Sequence, residues 1–154
     1  MRFPPCGLQQ VLLTYGDPRG FHDNQALWEE TILRYLSVPP GMFLWLGQSV
    51  RTIRVHNLAA PSFGQVVHTL AHNGVSGIEY GGTYNFRLNR NNPNQLSTHT
   101  WGIAIDLNPT KCPNGSNPNF QDVRLIAAFR EAQFVWGGTW AHPDPMHFQL
   151  AEGI

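Results

Sequence analysis

Trp101-Gly-Ile-Ala-Ile-Asp-Leu107 alternates strictly along its length. On an extended chain Trp101, Ile103, Ile105 and Leu107 face one way, and Gly102, Ala104 and Asp106 face the other. Two very small side chains therefore share a face with a carboxylate, which leaves open space beside an ionisable group. An ionised carboxylate held in a sheet needs a partner, and a cation is an efficient one. The stretch just upstream, Ser97-Thr-His99-Thr, supplies an imidazole, and Asp144-Pro-Met-His147-Phe-Gln149 supplies another forty residues later. His99 and Asp106 are seven residues apart, so an unbroken strand would point them in opposite directions. If both are ligands, the chain must turn between Thr98 and Trp101. On the last strand His147 and Gln149 share one face and Met146, Phe148 and Leu150 the other. His147 can then meet Asp106 across neighbouring strands.

Working outward, residues 24–36 place Trp28, Ile32, Tyr35 and Leu36 at helical spacing, with Asp23 or Asn24 as the cap and Pro39-Pro40 as the stop. Residues 49–56 read as a strand. A second helix starts at Ser62, turns Phe63, Val66, Val67 and Leu70 inward and stops at Asn73-Gly74. Residues 81–98 are rich in Gly and Asn and read as loop, with a short extended piece near Tyr84–Phe86. A second long loop runs from Asn108 to Phe120. Asp122 caps a third helix that buries Leu125, Ala128, Phe129 and Ala132. Phe134–Trp136 and Met146–Leu150 are two final strands around a Gly-Gly turn. The expected class is α+β, helices first and a small antiparallel sheet after them, in one domain over residues 1–154.

The bulk numbers agree with a globular chain: 154 residues, 42% hydrophobic, 13% charged and a formal charge of +0. Ten basic and ten acidic side chains form no run of either sign, so no basic stripe for nucleic acid is present. No apolar run approaches the roughly 18 residues of a membrane span, and no signal peptide is visible at Met1. Cys6 and Cys112 lack zinc-finger spacing; they pair only if the chain is exported, and free thiols are the expectation.

His68-Thr-Leu-Ala-His72 sets two imidazoles four apart on the second helix. The zincin motif needs Glu after the first His, and Thr69 stands there, so a solvated helix face is the expected role. His99, Asp106 and His147 are a stronger set. Two imidazoles and a carboxylate leave a fourth zinc position for water, the pattern of a catalytic site.

Ser97-x-His99-x-x-Gly102-x-Ala104-x-Asp106, together with Trp136-Gly-Gly-Thr-Trp140 through Asp144-x-x-His147-Phe148, resembles the signatures of the D-alanyl-D-alanine carboxypeptidase family of zinc peptidases. That family also contains L-alanyl-D-glutamate endopeptidases and many phage endolysins. The resemblance covers about residues 80–150. It implies one Zn²⁺ on His99, Asp106 and His147, Asp144 as catalytic base, and a fold shared with the zinc domain of hedgehog proteins. It further implies Arg87 as the contact for a substrate carboxylate, Arg90 as a second contact and Ser97 as support at the same end. Gln149 stands where Glu is frequent and is expected to orient His147. Thr139 stands where several relatives carry a charge. Trp101 and Trp140 are assigned to the groove, with Trp136 a third candidate; core packing competes for at least two of the three. His142 is placed on the rim.

The implied activity is hydrolysis of amide bonds in peptidoglycan stem peptide by a monomer. The protein would be made in the cytoplasm and reach the wall by release, as a phage endolysin does, or by export. The alternative is a zinc-stabilised binding module without turnover. A fourth protein ligand on the metal would mark that alternative, and Asp144 beside an open position argues against it.

Overall fold

The computed structural model of the chain describes residues 3–21 and 24–154. Helix α1 (Leu8–Tyr15) buries Val11 and Tyr15, and α2 (Gln25–Ile32) follows it. Asn24 caps α2 by accepting from the Leu27 N–H; Asp23, the other candidate, lies outside the described residues. The helix expected over 24–36 is only partly present. It ends at Ile32, and Leu33–Ser37 is instead strand β1, paired with β4 (Thr52–His56) from Leu33↔His56 to Ser37↔Thr52. Thr31 and Ile32 are β-branched and weaken helix continuation, and a five-residue ladder with β4 supplies the alternative.

A second sheet has six strands: β2 (Phe43–Trp45), β3 (Gln48–Ser49), β5 (Ile78–Gly82), β6 (Ala104–Leu107), β7 (Val135–Trp136) and β8 (His147–Gln149). Their order is β3-β2-β5-β6-β8-β7. The sheet expected to be antiparallel is mixed, because β2 and β5 run parallel. Nor do helices simply precede strands, since four strands lie before α3 (Ala60–His72). The α+β class stands. Helix α3 starts two residues ahead of Ser62, with Pro61 in its first turn, and ends at Asn73. Helix α4 (Val123–Glu131) is capped by Asp122, which accepts from the Arg124 N–H.

Strand β5 falls partly in the Gly-rich stretch that reads as loop. Gly81 is there for contact: a Cβ at that position would stand 3.0 Å from the Asp106 Cβ and 3.1 Å from the Asp106 carbonyl oxygen. The bare backbone lets β5 lie against β6 at the carboxylate. Tyr84–Phe86, expected to be extended, joins no strand; only Leu88 and Leu96 form an isolated bridge nearby.

Behind the sheet, Phe63 of α3 and Phe129 of α4 meet Phe134 edge-on at 4.8 and 5.0 Å, and Phe129 stacks on Phe148 at 4.3 Å. This cluster lies immediately behind His147, so the strand that presents the imidazole is anchored by close-packed aromatics. Among the described residues no helix is long and apolar enough to cross a membrane.

The first sixty residues brace the segment that carries His99. Trp28 Nε1 donates to the Thr100 carbonyl at 3.2 Å, Trp101 Nε1 to the Gly16 carbonyl at 2.8 Å, and the His56 backbone N–H to the Gly102 carbonyl at 2.9 Å. Gly102 has φ of 71°, and a Cβ there would sit 2.8 Å from the His56 nitrogen and from a Leu33 methyl. Left-handed backbone costs an L-residue about 1–2 kcal/mol before any clash. Gly102→Ala is therefore expected to lose more than about 2 kcal/mol of stability, measured as a shift in the urea midpoint at constant slope.

Candidate metal centre

Ser97 to Trp101 does not continue strand β6. Thr98–Trp101 is a 3₁₀ turn, closed by Gly102 and capped by Ser97, whose Oγ accepts from the His99 N–H at 3.3 Å. The turn removes the parity problem: His99 swings to the same side as Asp106. On the next strand, the β6–β8 register sets Asp106 directly opposite His147. Side-chain ligand atoms of His99, Asp106 and His147 all lie within 4.8 Å of one another.

Each imidazole has one nitrogen committed elsewhere. His99 Nδ1 lies 2.6 Å from the Thr83 carbonyl oxygen and donates to it, so Nε2 carries the lone pair. That Nε2 is buried and makes no hydrogen bond, although it stands 3.2 Å from Asp106 Oδ2. His147 Nε2 lies 2.9 Å from Gln149 Oε1, while Nδ1 points at Asp106 Oδ1 at 3.0 Å. The Gln149 amide orientation is settled by its NH₂, which donates to the Ala151 and Ile154 carbonyls at 2.9 and 3.0 Å. Oε1 is thereby left facing His147. Thr98 Oγ1 adds a donor to the same oxygen at 3.0 Å. Two lone pairs and a carboxylate converge, each imidazole held by an acceptor on its far side. Burial works to raise the Asp106 pKa, but the two imidazoles outweigh it and hold the carboxylate far below its usual range. Burial opposes charge on His147 as well; its hydrogen bond and charge attraction to Asp106 win and raise its pKa.

Asp144 is buried, with Oδ1 unpartnered. Burial raises its pKa, and the neighbouring Asp106 charge adds to the rise against the pull of both histidines. The Trp136-Gly-Gly segment explains its placement. The Asp144 N–H donates to the Gly137 carbonyl at 2.9 Å, and a Cβ on Gly137 would meet the Asp144 carbonyl oxygen at 2.5 Å. Only glycine allows the two segments to cross so closely.

A cleft of about 50 Å³ opens beside Asp106 and His147, lined also by Arg87, Arg90, Ser97, Asp144 and Trp140. One water needs roughly 10–15 Å³, so there is room for solvent beside the ligands. Arg87 is half-buried; burial and the nearby Arg90 charge lower its pKa, and a guanidinium remains charged regardless. Glu79, a conceivable surface partner for Arg87, is engaged with the Thr110 hydroxyl at 2.7 Å. Trp140 lies 5.5 Å from the His147 ring.

Trp101 does not line this cleft. It is 1% exposed and points to Gly16 on the opposite side, because the 3₁₀ turn that brings His99 inward carries Trp101 into the core. Trp136 stacks on Phe148 and donates to the Pro145 carbonyl. His142 is exposed and bonds Asn114, and His68 and His72 are exposed on α3. Cys6 and Cys112 are free. Three contributors escape a reading by residue type: the Thr83 carbonyl, which any residue could supply; Thr98, hidden among motif positions; and Asn114, in an Asn-rich loop. Gln121 is a fourth. Its amide donates to the Leu107 and Pro145 carbonyls at 3.0 and 2.9 Å and ties the end of β6 to the Asp144 turn.

Residues 90–150 match the family model described as D-alanyl-D-alanine carboxypeptidase. The matched segment holds the triad, Ser97 and Asp144, and Arg87 stands just ahead of it. A search of curated proteins found no match.

Proposed function

We propose, from the match of residues 90–150 to the D-alanyl-D-alanine carboxypeptidase family model, that this chain is a zinc-dependent hydrolase of amide bonds in peptidoglycan stem peptide. The observation that carries the metal assignment is the buried, unbonded Nε2 of His99 facing the Asp106 carboxylate, with a second imidazole lone pair beside it. Two imidazole nitrogens and one carboxylate oxygen suit Zn²⁺, so His99, Asp106 and His147 fit the ion as its three protein ligands. Among the described residues no fourth His, Cys, Asp or Glu joins the group, which favours catalysis over a closed, binding-only site.

Zinc held there would lower the pKa of bound water to about 7 and polarise the scissile carbonyl. Asp144 acts as the base. Its unpartnered Oδ1 takes the proton of the attacking water and returns it to the departing amine. Thr83 and Gln149 hold the tautomers that leave the lone pairs of His99 and His147 free for the ion. Arg87, fixed through its backbone by Thr100 Oγ1 at 3.1 Å, offers its guanidinium fork to a substrate carboxylate and sets the amide over the triad. Arg90 and Ser97 support the same end.

Purified protein loaded with one equivalent of zinc is expected to release new amines from peptidoglycan fragments and to stop when a chelator strips the metal. Absence of turnover with the zinc demonstrably bound would overturn the assignment. Mass spectrometry of products from a defined muropeptide decides between loss of terminal D-alanine and cleavage of the L-alanyl-D-glutamate bond. Arg87→Ala is expected to lower kcat/KM by about 10–100-fold, mostly through KM, as loss of a charged hydrogen bond predicts. Arg87→Lys should recover little, because an ammonium cannot form the paired contact.

A further inference from the structure

A groove of about 470 Å³ lies between the two sheets. Tyr35 of β1 and Thr52 and Arg54 of β4 form one wall; Trp45 of β2 and Tyr80–Tyr84 form the other. Its volume falls inside the range of about 300–1,000 Å³ typical of ligand pockets. Large aromatic side chains usually bury most of their surface, yet here Tyr35 is 64% and Trp45 54% exposed. Trp45 and Tyr80 form a T-shaped pair at 6.5 Å, and among the described residues no ring stacks on Trp45. Arg54 lies between the rings of Tyr35 and Tyr84, 5.4 and 5.5 Å from their centroids, and pairs with Glu29 at 3.6 Å. Among the described residues it is the groove's one charged lining residue, and that charge is already answered.

The groove is continuous with the metal centre. Gly81, Gly82, Thr83 and Tyr84 line it and also line a neighbouring cleft of about 190 Å³ that contains His99 and Asp106. Arg87, Arg90 and Asp106 in turn belong to both that cleft and the one beneath Asp144. A ligand spanning these clefts would run from Asp144 past the triad and over the two glycines to the aromatic rings.

We infer that this groove holds an N-acetylated amino sugar of the glycan strand to which the stem peptide is attached. The inference rests on the proposed peptidase activity for its substrate. The exposed rings of Tyr35 and Trp45 suit the C–H faces of a pyranose, and the flanking hydroxyls of Thr52 and Tyr35 and the guanidinium edge suit its hydroxyl and acetamido groups. A groove with no unanswered charge is poorly matched to the carboxylates and amines of the peptide, which Arg87 and Arg90 serve nearer the triad. The sugar and the peptide are one covalent substrate, so a trough leading from the triad to the rings accounts for both.

The experiment compares the zinc-loaded enzyme on a free stem peptide and on the same peptide carried by its disaccharide. It uses the native chain and a Tyr35→Ala/Trp45→Ala double variant, whose side chains are more than half exposed. Alongside it, the metal-free protein is titrated with an N-acetylglucosamine tetramer, with tryptophan fluorescence as the readout. The disaccharide is expected to raise kcat/KM about tenfold in the native chain, and the double variant should erase that advantage. The tetramer should produce a saturable fluorescence change that Trp45→Ala removes. Equal losses on both substrates would make the groove a peptide site and overturn the inference. No disaccharide advantage together with no Trp45-dependent response would overturn it as well, in favour of a protein partner or no ligand. If neither peptide is cut, the peptidase reading has failed, and the fluorescence titration alone still decides whether the groove takes sugar.

Discussion

Asp144→Asn is expected to lower kcat by about 10²–10⁴-fold, the usual contribution of a positioned proton carrier, while one equivalent of zinc remains bound. The substitution keeps the shape of the side chain and its backbone contacts with Gly137, and it removes the negative charge and with it the capacity to accept a proton. Metal content by mass spectrometry and turnover on a defined muropeptide measure the two halves separately. A variant that cuts as fast as the native chain would show that the base lies elsewhere. The same carboxyl gives a pH signature. Burial raises its pKa above the ordinary carboxylate value, and only its ionised form is a base. In the metal-free protein its protonation should therefore occur at higher pH than that of an exposed aspartate, and the Asp144→Asn variant should lack that step. The stability sign runs the other way. A folded-state pKa above the unfolded one means that the protonated form is favoured by folding. That contribution is complete below the unfolded pKa and is lost as pH rises through the folded one. At neutral pH the metal-free Asp144→Asn protein should thus melt higher than the native metal-free protein. Gain in Tm with loss of turnover is the mark of a group held for chemistry at a cost to the fold.

Asp106→Asn carries the second large effect. Asp106 is the anion of the triad, with its Oδ1 3.0 Å from His147 and its Oδ2 3.2 Å from His99. An amide in its place removes the negative charge and turns one oxygen into a donor aimed at an imidazole lone pair. Loss of a second-sphere partner alone costs 10–100-fold in metal affinity. Loss of a ligand should exceed that, so zinc affinity is expected to fall more than about 100-fold, read by calorimetry against a competing chelator. The zinc-dependent rise in Tm should shrink with it, since a ligand stabilises by about 4 kcal/mol at a thousandfold excess over Kd. Retention of native affinity would remove Asp106 from the ligand set. In the metal-free native protein its depressed pKa stabilises the fold above the unfolded carboxylate value and is lost as pH falls.

Much of the metal centre is legible in residue order because its logic is local and periodic. Ile103, Ile105 and Leu107 are fully buried on one face of the chain, with Asp106 on the other. The two-residue period of a strand reports that directly. The same period separates His147 and Gln149 from Phe148, and the turn required between Thr98 and Trp101 follows from counting parity. Asp122, Asn24 and Gly74 act through side-chain or backbone preferences confined to one turn of helix, and they end or begin helices as their chemistry dictates.

Other features were decided at a distance. Leu33–Ser37 has the spacing of a helix, but β4 lies fifteen residues or more down the chain, and its ladder is invisible to a local period. Gly81-Gly82 resembles a loop until Asp106 is brought within 3.0 Å of where a side chain would begin. Trp101 obeys the alternation of its strand in the sequence and leaves it in space, because the turn that delivers His99 rotates it toward Gly16. The Thr83 carbonyl has no residue identity to read at all. Residue types and short-range periods therefore determined which side chains are available as ligands and which face each occupies. Which backbone groups hold them, and how close the strands come, depended on pairings between segments far apart in the chain, and only the assembled sheets could decide those.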